Sequence, residues 1–356
     1  MSAAGLEIDK HRGIHRLVFW LSCFLLTGLV LYIFLQDPGC FTCTRRAMFS
    51  EMVYGRAYRP FVYRILLPGA TRLLTAALPG GLRAWLNGTV GGHPLMVKAF
   101  AKMRWEREFF TEYAIGLGLM YLSLWGFVFS LRYLFRGLMR APGRMLNLAT
   151  LGALAALPPF FRNCSYVYDF STLFLFTLGL GLMARRRWRP FLLVYLLGCL
   201  NKETTILLTL IFVIHFWPAG RMERRTLGRL VAGQVLIFLA VKLALFFAFQ
   251  SNRGAFLEFH LLHPNLRELL VRKYSIEGLF TFFAIVLLVF RRWSEKPALL
   301  RDGLWIVLPL FLLTLFLGYL DEWRDYYEAY PLVVLLASYT VGEILGLKVD
   351  TVEGKP

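Results

Sequence analysis

Four short stretches of this chain carry the residues that could do chemistry, and each lies beside an apolar run. Asn201-Lys202-Glu203-Thr204 separates the two apolar halves of segment 191–216. Arg162-Asn163-Cys164-Ser165-Tyr166-Val167-Tyr168-Asp169 leads directly into another apolar run, and Asp321-Glu322-Trp323-Arg324-Asp325-Tyr326-Tyr327-Glu328 precedes a third. Tyr58-Arg59-Pro60-Phe61-Val62-Tyr63-Arg64 follows Asp37 and Glu51 in a long, more polar stretch. Ionisable groups at membrane depth are unfavourable unless they face a protein interior or a wet cavity. Groups so placed can take up protons or hold a substrate. Each stretch also has a purely structural reading. Lys202 and Glu203 can pair with each other and cap two short helices. Asp169 can cap the helix that it opens. In a helix, Asp321, Arg324, Asp325 and Glu328 would fall at i, i+3, i+4 and i+7 and form an ion-pair ladder. Arg59 and Arg64 can simply extend to lipid headgroups.

The elements that must position these residues are membrane helices. The chain has 356 residues, 58% of them hydrophobic and 17% charged, with a mean hydropathy of +0.57. That balance excludes an ordinary soluble domain. The formal charge of +18 does not indicate nucleic acid, because the basic residues sit in short clusters between apolar runs, where they set topology and meet anionic lipid. The fold class is therefore all-α integral membrane, a single polytopic domain over 1–356. The apolar runs fall at 17–35, 109–135, 146–161, 170–184, 191–216, 230–249, 276–290, 304–320 and 331–345. Counting 191–216 as a hairpin of two short halves gives about ten segments, since each half is below the ~20 residues that span a bilayer. Arginine clusters at 132–144, 185–189, 221–225 and 291–301 place those loops inside and both termini in the cytoplasm. Asp169, Glu203, Asp321, Asp325 and Glu328 then share the external face.

Between the first and second runs, 36–106 is too polar to span. Val62, Ile65, Leu66, Ala70, Leu73, Leu74, Ala77 and Leu78 recur at helical spacing there, with Arg59, Arg64 and Arg72 among them. This pattern predicts a basic amphipathic helix lying in the interface, broken at Pro68-Gly69, and a second short one from Pro94 to about Trp105. Cys40 and Cys43 form a lone C-x-x-C beside helix one, with Cys164 on the same side, open to a disulfide or a metal half-site but more simply read as incidental thiols; His260 and His263 form an H-x-x-H in an external loop without the glutamate and i+4 spacing of a zinc-protease helix. Asn87-Gly88-Thr89 and Asn163-Cys164-Ser165 match the glycosylation pattern. The first apolar run is too long for a cleavable signal.

The string Tyr58-Arg59-Pro60-Phe61-Val62-Tyr63-Arg64-Ile65-Leu66-Leu67-Pro68, the Asn-Lys-Glu-Thr tip and the Glu/Arg/Tyr-rich stretch before Pro331 resemble elements of the GT-C superfamily of membrane glycosyltransferases, in an uncharacterised bacterial subgroup. The resemblance covers most of the chain as architecture. It implies a bacterial inner-membrane enzyme that takes a sugar from a polyprenyl-phosphate donor on the external leaflet for envelope or polysaccharide glycosylation. Under it, Asp37, Glu51, Asp169 and Glu203 are the candidate bases. Arg59, Tyr63, Arg64, Asn201, Lys202, Asp321, Arg324 and Glu328 are the candidate substrate contacts, and a divalent metal bridging acid and phosphate is a candidate cofactor. Membrane lipid and the lipid-linked donor are the implied partners, and no nucleic acid is. The chain departs from the family where a paired-acid motif would follow helix one: Asp37 stands alone before Pro38-Gly39. A transporter or flippase of lipid-linked intermediates is the competing reading, with the broken hairpin as its binding element; a non-catalytic envelope-assembly partner is a third. Against the transporter stands the absence of any internal repeat in the sequence.

Overall fold

The structure is a computed structural model. It describes residues 3–36, 45–161, 165–218, 220–255, 259–261, 265–267, 276–320 and 322–352, with the side chains of 3–12 and of Arg45 excepted. The chain is 79% helical, and its strand pairing is a two-residue antiparallel contact of Met139 and Arg140 with Thr351 and Asp350. Among the described residues, four helical stretches are long and apolar enough to cross a membrane: Gly13–Gln36, Arg107–Leu138, Arg224–Ala248 and Ala298–Leu317. Four more are apolar but shorter, Asp169–Ala184, Glu203–Phe216, Ile276–Phe290 and Tyr330–Ile344. The expected count of about ten membrane segments, the short hairpin counted as two, is not confirmed by length and apolarity among the described residues.

The long helix α1 (Ala3–Gln36) packs beside α6 (Phe110–Leu138), α7 (Gly143–Ala155) and the turn Pro158–Phe161. Helix α6 is the spine, and α8 (Asp169–Ala184) is the element it packs against most extensively. The two come close through Gly126, which sits against Phe174, and Gly181, which sits against Tyr133. Beyond α8 lie α9 (Trp188–Asn201), α10 (Leu207–Phe216) and α11 (Arg224–Ala248). The C-terminal part adds α12 (Ile276–Phe290), α13 (Ala298–Gly303), α14 (Val307–Leu317) and α15 (Tyr330–Ile344).

Helices α9 and α10 form an antiparallel hairpin, as the two apolar halves suggested. Trp188 meets Phe212 and Phe216 with ring centroids 5.5 and 5.6 Å apart, and the Tyr195 hydroxyl lies 2.8 Å from Thr209 Oγ1. Near the tip Gly198 faces Thr205, and a Cβ at Gly198 would stand 2.7 Å from Thr205 Cγ2. Only glycine allows the two arms to approach this closely. The tip is Asn201, Lys202 and the single 3-10 turn Glu203–Ile206. A cavity of about 10 Å³ lies beneath it, lined by Thr172, Gly198, Asn201 and Thr205 among others, which is room for about one water.

The polar segment between α1 and α6 folds into α2 (Phe49–Val53), α3 (Leu66–Ala77), α4 (Gly80–Trp85) and α5 (Pro94–Met103). The expected break at Pro68-Gly69 does not occur. Pro68 is the third residue of α3, where its missing N–H would have no partner inside the helix anyway, and the helix begins there instead of breaking. The buried face of α3 holds Leu67, Pro68, Thr71 and Thr75. Leu73 and Leu74 are exposed, as are Leu82, Trp85, Leu95 and Met96 further along. An apolar outer surface on short helices that cannot span is the pattern of a segment lying at an interface.

Candidate functional site

Four helices begin or end at one place. Helix α8 starts at Asp169, α9 ends at Asn201, the turn before α10 starts at Glu203, and α15 starts just after Glu328. Helix termini leave backbone groups unpaired, and side chains fill that need here. Asn201 is 1% exposed. It accepts from Ser171 Oγ at 2.6 Å and donates to Thr172 Oγ1 at 2.8 Å and to the Tyr168 carbonyl at 3.2 Å. Its amide therefore binds the start of α8 to the end of α9. Asp169 reaches back to accept from the Tyr166 N–H at 2.8 Å, which closes the turn before α8; the expected helix cap does not form, because Tyr168 takes the N-cap position and no side chain caps the helix. Its other oxygen, Oδ1, has no hydrogen bond and lies 4.0 Å from Arg324.

The tip of the hairpin is pinned from two sides. Glu203 accepts from Arg64, Nη2 to Oε1 at 2.6 Å and Nε to Oε2 at 3.4 Å, and Arg64 Nη1 donates to the Tyr168 hydroxyl. Lys202 turns the other way, to Glu328 at 3.2 Å, and Thr204 donates to the same carboxylate oxygen. The neighbours Lys202 and Glu203 thus do not pair with each other, because the tip backbone directs them to different walls. Nor do the described residues 322–328 form one helical ladder. Trp323–Tyr326 is a 3-10 turn, so Arg324 bonds Glu322 and approaches Asp325 at 3.7 Å, while Glu328 swings to the lysine.

Aromatic rings join the two halves of the cluster. The Arg64 guanidinium lies over the Tyr168 ring at 4.5 Å, and the Arg324 guanidinium over the Tyr166 ring at 4.3 Å. Tyr166 and Tyr168 stack with centroids 5.2 Å apart at 7°. Phe61 stacks on Tyr166 at 5.4 Å. Cation–π contacts of desolvated arginines add to the ion pairs. Burial alone would lower the Arg64 value, but the Glu203 carboxylate outweighs it and holds the guanidinium above its usual range. Arg324 is likewise held well above its usual range against burial, through Asp325, Glu322 and Asp169. Both arginines are fixed charges.

Arg64 is positioned by the segment before it. The Arg59 N–H donates to the Arg253 carbonyl at 2.8 Å, and Asn252 donates to the Gly55 and Ala57 carbonyls at 2.9 Å each. Gly254, with φ of 98°, lies under Arg59, where a Cβ would come within 2.4 Å of the Arg59 carbonyl oxygen. The turn after α11 therefore cradles the Arg59 backbone and delivers Arg64 to the tip.

Of the residues singled out from the sequence, the structure brings Arg64, Asp169, Asn201, Lys202, Glu203, Arg324 and Glu328 together. Tyr63 is buried beside Arg64 in the chain, whereas the Arg59 Nε is buried without a hydrogen bond and no contact places it on these groups. Glu51 pairs with Arg56 at 2.9 Å and joins none of them. Asp37 and Asp321 lie outside the described residues, as do Cys40, Cys43, Cys164, Asn163 and His263. Asn87 of the first glycosylation pattern accepts from the Thr111 N–H at 3.1 Å and from its hydroxyl at 2.6 Å, so its amide serves as an internal tie. Among the described residues, no group of three His, Cys, Asp or Glu could hold a metal ion. Asp169, Glu203 and Glu328 each already face a cation, so the arrangement does not fit a divalent metal.

Sequence reasoning passed over Lys242. It is the one ionisable residue within the apolar run 230–249, a signal that by itself marks an intramembrane group as a site candidate. Its ammonium donates to the Cys199 carbonyl at 3.3 Å, in the last turn of α9, and its charge acts on Glu203. Tyr166, Tyr168, Thr204 and Tyr327 were likewise visible only as parts of motifs. Near Asp169 and Glu328, the Tyr327 hydroxyl, Asp169 Oδ1, Glu328 Oε2 and Arg324 Nε are all buried without a hydrogen-bond partner. Unpaired buried polar atoms are unfavourable singly, and four in one cluster mark a place that a water or a ligand group would fill. No protein family, no curated protein and no solved structure matches this chain.

Proposed function

We propose that the chain is a membrane glycosyltransferase of GT-C type, acting on a polyprenyl-phosphate sugar at the external face of the bacterial inner membrane in envelope or polysaccharide glycosylation. The observation that carries this reading is the meeting of Arg64, from the interfacial segment, with Glu203, from the tip of a short hairpin, beside buried carboxylate oxygens that lack partners. A lipid tail can lie along the exposed apolar surface of α3, with its phosphate at Arg64. In the transfer step the acceptor oxygen bonds to the anomeric carbon and its proton passes to the Glu203 carboxylate. The bond from that carbon to the phosphate oxygen breaks, and its electron pair stays on the phosphate, where Arg64 stabilises it. Glu203 is the acid with access, its side chain 42% exposed, whereas Asp169 and Glu328 are fully buried and hold the cations in place.

The test is turnover by the purified full chain in lipid nanodiscs with synthetic polyprenyl-phosphate sugars, read as release of the free polyprenyl phosphate. Release by the wild type, lost in Glu203→Gln, supports the reading. Movement of intact donor across vesicles without cleavage would instead mark a carrier of lipid-linked intermediates, and no release with any donor sinks the enzyme reading.

A further inference from the structure

In the structure the Arg64 guanidinium is engaged through all three nitrogens. Nε and Nη2 donate to Glu203, and Nη1 to the Tyr168 hydroxyl, while its face is covered by the Tyr168 ring. The Arg64 side chain is 10% exposed and that of Glu203 42%. An anion approaching Arg64 from outside therefore meets a carboxylate already in the place it would take. A second cation lies on α11, the helix that packs against both the tip turn Glu203–Ile206 and the Phe61–Tyr63 turn before Arg64. Lys242 has a single hydrogen bond among the described residues, to the Cys199 carbonyl, and its charge acts on both Glu203 and Arg64. Arg64 bonds the carboxylate directly and Lys242 acts on it from the neighbouring helix, and the three groups together carry one net positive charge.

We propose that Arg64 and Lys242 form a binding site for a phosphate group, and that the Glu203 carboxylate occupies it as an internal stand-in until the phosphate arrives. Carboxylate and phosphate both match the guanidinium fork with two oxygens, so one can replace the other without a change in the arginine's geometry. The exchange also avoids the state in which a buried guanidinium stands unpaired, which is strongly unfavourable. Tyr168 fixes the arginine throughout. Displaced Glu203 loses its strongest cationic partner and recovers basicity at the moment the phosphate is seated. The inference rests on the reading of Arg64 as the phosphate contact; it adds the second cation and the internal competitor.

Removing the charge of a competitor tightens ligand binding, whereas removing a glutamate that only holds Arg64 in place leaves binding unchanged or weakens it. The full chain is purified in detergent and titrated with inorganic phosphate, with binding followed by calorimetry. In a second arm the chain is placed in nanodiscs of neutral lipid with and without phosphatidic acid, and its melting temperature is read. Glu203→Gln is expected to bind phosphate about tenfold or more tightly than wild type, the effect of one charge-assisted contact no longer competed for. Lys242→Met keeps the Arg64–Glu203 pair and is expected to bind about tenfold more weakly. The same order in both arms supports a site that reads the phosphate group alone; the same order only with phosphatidic acid supports a lipid-borne phosphate. Unchanged or weaker binding by Glu203→Gln overturns the proposal. If Glu203→Gln does not fold, Lys242→Met decides, and unchanged binding by that variant overturns it equally. Tightened phosphate binding in a protein that turns over no donor would leave this site standing and remove glycosyl transfer. Turnover with no phosphate effect in either variant would do the reverse.

Discussion

Lys202 lies 3.2 Å from Glu328 and not on its neighbour Glu203, which is held by Arg64 at 2.6 Å. The two adjacent charges thus tie the hairpin tip to two separate segments, one before α3 and one before α15. Both members of the lysine pair are almost fully buried, 5% and 0% of their side chains exposed. Lys202→Met or Glu328→Gln alone is expected to lower stability by about 3–5 kcal/mol, because each leaves a buried charge unpaired. Lys202→Met combined with Glu328→Gln should recover most of that loss in thermal unfolding, and Lys202→Met combined with Glu203→Gln should not. Recovery by the second combination would reassign the pair.

The tip also depends on Gly198. Gly198→Val would drive a branched side chain into Thr205, whose Cγ2 is 2.7 Å from where the Cβ would stand. Overpacking of this kind lowers stability by about 1–3 kcal/mol, and splaying the arms moves Glu203 away from Arg64. The variant is expected to lose stability and transfer activity together. A fully stable, fully active Gly198→Val protein would show that the close approach of the arms is dispensable.

Asn201 is expected to act through structure. All its amide contacts are internal, to Ser171, Thr172 and the Tyr168 carbonyl. Asn201→Leu should lower stability by about 1–3 kcal/mol through lost and unsatisfied hydrogen bonds, with phosphate affinity nearly unchanged in the fraction that folds. A large loss of affinity at unchanged melting temperature would point to direct contact with the ligand.

At the opposite end, Lys296 donates to the Leu288, Val289 and Leu336 carbonyls at 2.7, 2.7 and 2.9 Å. Burial pushes its ammonium down from 10.5 to about 8, with Glu343 acting the other way. The unfolded chain therefore binds the proton more tightly, so wild-type stability should rise as pH climbs from about 8 towards 10.5. Lys296→Met lacks this term and loses the three bonds. The stability difference between the two proteins should widen between about pH 7.5 and pH 9.5, measured by denaturation in detergent. A difference that narrows would mean that the folded state needs the charged ammonium.

The hairpin at 191–216 was legible because two short apolar halves around Asn201–Thr204 admit few other folds, and Arg64, Glu203 and Glu328 were legible as ionisable groups beside apolar runs. Their pairing was not. Lys202 and Glu203 are neighbours in the chain, and proximity in sequence favoured a local pair, while the partners that hold them lie 126 and 139 residues away. Helical periodicity misread 321–328 because a 3-10 turn places side chains differently from an α-helix. Pro68 misled for a related reason: a proline breaks a helix interior but suits a first turn. Lys242 was within reach of the sequence alone, as a lone charge in an apolar run.

The helices that converge on the site are short. Helices α8, α9 and α15 have 16, 14 and 15 residues, roughly 24, 21 and 22 Å at 1.5 Å per residue, against a hydrocarbon thickness of ≈ 30 Å. Each is cut off at the end where the polar residues lie. Across a bilayer such lengths would leave a hydrophobic mismatch, to be relieved by a dimple at the polar end or by the α2–α5 segment settling into the gap. A dimple at that point would lower the headgroups onto Arg64, so that a phosphate carried on a long lipid would need to travel only part of the usual depth to reach it.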